Sequence, residues 1–145
     1  MPVLRKRLSK KGGSVHKEGY YKGLFFIGAL WNWGAAINFL FLTEFTFSLI
    51  GMDIALSNTI FFTWFLALVF VYGLGYFWVS RDVLKNHGVV WMGILGKLSL
   101  FGLAAYHWSI GLITLPLFMI LVGDLIFALL FLEFIVNFTK NQLKR

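Results

Sequence analysis

Four apolar runs dominate the chain, at residues of about 23–43, 58–79, 88–107 and 111–138, with polar or basic stretches between them. Each run is close to the roughly 20 residues a helix needs to cross about 30 Å of hydrocarbon. In lipid the backbone must satisfy its own hydrogen bonds, so runs of this kind become helices. The pattern predicts an all-α polytopic membrane protein: one domain over residues 1–145, a four-transmembrane-helix bundle with basic tails at 1–22 and 139–145.

The breaks refine this. Residues 44–57, EFTFSLIGMDIALS, have no Lys or Arg and much apolar content. They predict a segment lying in the membrane interface, with Ser57 or Asn58 capping the next helix. Residues 80–88, SRDVLKNHG, form a short polar turn. Pro116 fits the first turn of the fourth helix, where its missing N–H has no partner to lose.

Within the runs, small residues mark faces for close approach. Gly28, Asn32 and Ala36 share a face of the first helix, and Gly73 and Gly75 offer a packing site on the second. Gly93, Gly96, Ser99 and Gly102 recur every three residues on the third, and Lys97 shares a face with Gly93 and Ala104. Trp31 and Trp33 lie too deep for an interfacial belt and are expected between helices. Tyr76, Phe77 and Trp78 read as an aromatic girdle at a helix end.

Composition closes off the soluble alternative. Hydrophobic residues make up 59% of the 145 and charged residues only 13%, against about 25% charged in a soluble domain. The net charge of +7 would point to nucleic acid in a soluble protein, but the basic residues here flank apolar runs. Seven precede the first run, two lie in the turn at 80–88 and three follow the last run, while the other two connections have none. The positive-inside rule then puts both termini in the cytoplasm. The basic tail reads as a topology signal attracted to anionic head groups, and no nucleic-acid partner is expected. The first run is too long for the apolar core of a cleavable signal peptide. Zero cysteines exclude disulfides, iron–sulfur clusters and thiolate chemistry.

The candidate chemistry lies inside the bilayer. Lys97 sits about 14 Å along the third helix and Asp124 about 12 Å along the fourth, by the 1.5 Å rise per residue. Asn32 lies at a similar depth in the first helix. Insertion costs about 2.5–3.5 kcal/mol for each such charge at a helix centre. Pairing offsets this, so Lys97 and Asp124 are expected in contact, with Asn32 as third member. A specificity device and a functional site (proton relay, ion or substrate path, head-group site) both remain open readings. No cavity signal accompanies the pair. Glu133 falls on roughly the opposite face of the fourth helix, four residues before Asn137, and is expected to snorkel or to meet another chain.

No metal or other cofactor is expected. His87 and His107 stand at opposite ends of one helix, about 30 Å apart by rise, and His16 is in the tail. The glycines of GILGKLSLFG have the wrong spacing and setting for a phosphate loop, and no catalytic motif is present.

Residues 93–135, with a Gly-Lys pair in GILGKLSLFGLAAYHWSIGLI and a Gly-Asp pair in GDLIFALLFLEFI, resemble small bacterial four-helix membrane proteins of the DoxX-like sort. The resemblance implies a four-helix bundle and an accessory role in a membrane complex, and no catalytic residues. The first expectation is therefore a non-catalytic accessory or structural component, with partner membrane proteins or a homo-oligomer. The alternatives are a small transporter or channel using Lys97 and Asp124, and a lipid- or sterol-type ligand binder or enzyme.

Overall fold

Long apolar runs become helices, and the small and capping residues set where each begins and ends. In the computed structural model, which describes residues 2–142 and the side chains of 17–138 apart from Leu56 and Asn58, the order is all helical. Helix α1 spans Pro2–Phe41, α2 Thr43–Ile50, α3 Ile60–Arg81, α4 His87–Ser109 and α5 Leu115–Gln142, with a 3₁₀ turn at Ile54–Asn58 before α3. No strand occurs among the described residues.

Several boundaries differ from expectation. The basic stretch before residue 23, expected as a poorly ordered tail, continues α1 back to Pro2. A membrane helix is already nucleated, so extending it through Lys-, Arg- and Leu-rich sequence costs little beyond about 1 kcal/mol for each of Gly12 and Gly13. The last three residues of the basic C-terminal stretch, 143–145, lie outside the described ones. Thr59, not Ser57, caps α3, its hydroxyl accepting from Phe62 N–H at 3.2 Å. Ser57 instead donates to the Ile54 carbonyl at 2.7 Å. The Asn58 side chain is outside the described ones. The first connection is itself helical and ends at Gly51, whose φ of 65° closes α2 in the left-handed region that glycine adopts without penalty.

Helix α1 packs along α3, and α4 along α5, as two antiparallel pairs. At the end carrying the termini the pairs meet in an aromatic core. Phe25 stacks on Phe131 with centroids 4.7 Å apart, Phe134 meets Phe25 edge-on at 5.1 Å, and Tyr76 meets Phe131 at 5.0 Å. Val79 and Val90 fill the space between them and are fully buried. Toward the other end α3 and α4 stand apart around a cavity, and α2 lies across it with Phe47 and Ile50 buried.

The glycines act as sockets for aromatic rings. A Cβ on Gly73 would lie 2.4 Å from the Trp33 indole, and one on Gly123 would lie 2.6 Å from Trp31. The two tryptophans thus pack between helices. Trp33 also donates its indole N–H to the Phe70 carbonyl at 3.2 Å. Gly73→Val is expected to lower stability by about 1–3 kcal/mol through overpacking. Gly102→Val, where a Cβ meets nothing within 4 Å, is expected to cost little. Thermal unfolding of both variants in detergent checks the contrast. The girdle expected at 76–78 is corrected: Tyr76 is 1% exposed in the core, and only Trp78 projects fully from the bundle. Helical periodicity puts these successive residues on different faces.

Candidate functional site

Helices α1, α3, α4 and α5 are tied together at one depth by three polar side chains. Lys97 on α4 donates to Asp124 Oδ1 on α5 and to Asn32 Oδ1 on α1 at 3.2 Å. Asn32 Nδ2 in turn donates to the Val69 carbonyl of α3, also at 3.2 Å. Lys97 is 6% exposed, Asn32 7% and Asp124 8%. The Lys97 ammonium lies 5.6 Å from the Tyr76 ring centroid and 5.5 Å from that of Phe127, so ring faces supply further attraction. Ten residues separate Lys97 from the start of α4, a rise of about 15 Å and half the hydrocarbon thickness.

A cavity of about 590 Å³ opens above this cluster, on the α2 side. Phe39, Leu66, Leu103, Leu117 and Leu121 form much of its wall, and Phe47, Ile50 and Met52 roof it. Asn32, Lys97, Asp124, Tyr76, Tyr72 and Ser99 are polar residues in its lining. The sequence carries no signal of this cavity. The cavity leaves the α4 small-residue face against empty space and tyrosine rings. A Cβ on Gly93 would lie 2.7 Å from the Tyr76 ring and hydroxyl, while one on Gly96 would meet Tyr72 at an ordinary 3.6 Å. Thr114 donates to the Ile50 carbonyl, tying the roof to the α4–α5 connection.

Tyr76 is the residue the sequence reading missed. Its hydroxyl makes no hydrogen bond among the described residues, and the residue lines the cavity. The spacing of Tyr72 and Tyr76 at i and i+4 was the available signal, since it puts two polar-tipped rings on one helix face.

Glu133 and Asn137 lie apart from this site, near the termini end. Tyr21 of α1 donates to Glu133 Oε1 at 3.2 Å, and Asn137 Nδ2 reaches the Tyr21 hydroxyl at 2.9 Å and Glu133 Oε1 at 3.1 Å. Glu133 is exposed, and it also has the partners Tyr21 and Asn137 within its own chain. A tyrosine one helix away on α1 was not anticipated as its neighbour. His87 makes contact with the Val83 carbonyl at 3.1 Å and packs on Phe138 with ring centroids 4.0 Å apart. The His16 side chain is outside the described ones. Among the described residues no group of three His, Cys, Asp or Glu is placed to hold a metal. In the α3–α4 turn, the Lys85 ammonium and the Leu84 N–H hold the Asp82 carboxyl below the usual carboxylate range.

Among the described residues four helices are long and apolar enough to cross a membrane: Lys17–Phe41, Ile60–Arg81, His87–Ser109 and Leu115–Phe138. The chain is a multi-pass integral membrane protein built as an α-helical bundle. No family model, curated protein or solved structure matches it, so the DoxX-like resemblance rests on the residues that suggested it.

Proposed function

We propose that the protein binds an apolar, lipid-type ligand within the bilayer, with the ligand's polar end on the Lys97–Asp124–Asn32 cluster. The cavity carries this reading. A space of about 590 Å³ with hydrocarbon walls and a polar floor has the size and lining of a small-molecule site. It holds on the order of 20 non-hydrogen atoms at the roughly 30 Å³ of a water-sized group. The ion pair then has two roles, fixing the helices and orienting the ligand.

The accessory-component reading was motivated by missing catalytic motifs. The cavity is a positive feature and takes precedence, although a ligand carrier can also serve a larger complex. Packing of Phe25, Val79, Val90, Phe131 and Phe134 beyond Lys97 and Asp124 supports binding over passage through the bundle. The basic residues flanking the spans support a cytoplasmic location for both termini.

Native mass spectrometry of the protein, extracted gently from its own membrane, tests the reading. One apolar amphiphile retained per chain is the expected result. A stoichiometric partner polypeptide with no retained small molecule would return weight to the accessory role and overturn the ligand reading.

A further inference from the structure

Spare hydrogen-bond donors gather at the cavity floor, while the charges there cancel. A lysine ammonium has three N–H donors; Asp124 and Asn32 accept from Lys97, which leaves one. The Tyr76 hydroxyl is a second unused donor, on a residue only 1% exposed that lines the cavity. Gly93 is what lets it stand there, since a Cβ at that position would lie 2.7 Å from the hydroxyl oxygen. Lys97 and Asp124 form a one-to-one pair, and transfer of the proton between them would leave the sum of their charges at zero. No second basic or acidic side chain lines the cavity.

From this neutral, donor-bearing floor we infer that the ligand's polar end is an uncharged oxygen acceptor, a carbonyl or hydroxyl on a long apolar body. The inference rests on the proposed ligand-binding reading and narrows its chemical class. A fixed anionic head group would be repelled by Asp124 as well as attracted by Lys97, and a fixed cation the reverse. In a low-dielectric site neither gains enough from the opposite partner to offset its own desolvation. A carbonyl oxygen loses little on leaving water and accepts from Tyr76 and from the third Lys97 proton. Such an oxygen adds hydrogen bonds to groups that face the cavity and displaces no existing partner.

The test uses the full-length protein in detergent and dibrominated C18 chains that share one tail. The heads are a methyl ester, an alcohol, a sulfate and a trimethylammonium, with dibromo-octadecane as headless control. Trp31 lines the cavity, so bromine bound there quenches it, and the part of the quenching lost in Trp31→Phe isolates the site. The ester and alcohol are expected to saturate this component and to bind at least tenfold tighter than the sulfate or the trimethylammonium. Tyr76→Phe is expected to weaken the ester about three- to tenfold, the worth of one buried hydrogen bond, and to leave dibromo-octadecane unchanged. A purely structural role for Tyr76 would weaken both alike. Equal or tighter binding of a charged head would overturn the head-group assignment while leaving the cavity as a ligand site. Absence of any Trp31-dependent saturable quenching would overturn the ligand reading itself.

Discussion

Asp124→Leu alone is expected to destabilise the folded bundle by about 3 kcal/mol or more, because it strands the Lys97 ammonium in the membrane interior. Lys97→Met is expected to cost a similar amount, since it leaves Asp124 without its partner at the same depth. The double variant Lys97→Met with Asp124→Leu is expected to recover most of the loss. What it does not recover is Asn32, whose Oδ1 loses its Lys97 donor while its Nδ2 keeps the Val69 carbonyl; that leaves about 1 kcal/mol. Equilibrium unfolding in mixed micelles, run as a double-mutant cycle, reads the coupling directly. A double variant as unstable as the sum of the singles would mean that the two side chains do not depend on each other.

The same pair shows how much the sequence could reveal. Two charges at matching depth in adjacent, antiparallel apolar helices have few ways to avoid their desolvation cost, so their contact followed from spacing alone. Asn32 followed too, because a polar amide at that depth needs a partner. Helix existence and number were legible because lipid permits so little else. The cavity was not legible. Small residues at 93, 96, 99 and 102 signal room beside a helix, but the spacing is the same whether a backbone or a void occupies it. Tyr76 was assigned to a girdle from three consecutive aromatic residues, and that rule ignores the 100° turn between neighbours on a helix. The partner of Glu133 was hidden because Tyr21 lies more than a hundred residues away in sequence and on the edge of a basic stretch expected to be disordered. The start of α1 was misplaced for a related reason: hydropathy marks where lipid ends, and a helix does not have to end there.

Gly96→Leu separates the cavity from the fold. At Gly96 the atoms nearest a Cβ would be those of the Tyr72 ring and hydroxyl, at an ordinary 3.6–3.9 Å, and the residue lines the cavity beside Lys97. A leucine there extends into the space the ligand would occupy without first displacing a wall. Its stability is expected to stay within about 1 kcal/mol of wild type, and the replacement of a helical glycine tends to raise it by a similar amount. Binding of the dibrominated ester is expected to fall at least tenfold, because a leucine side chain removes a large share of a 590 Å³ space. Gly93→Leu is the instructive contrast. Its Cβ would clash with Tyr76, a core ring, so stability and binding should fall together. Thermal unfolding and Trp31 quenching on the same preparations distinguish the two patterns. If Gly96→Leu keeps full affinity, the ligand sits elsewhere on the bundle and the polar floor serves the helices alone. If it loses affinity while remaining folded, the ligand occupies the space beside Lys97, and the polar cluster that ties four helices together also forms the floor of the binding site.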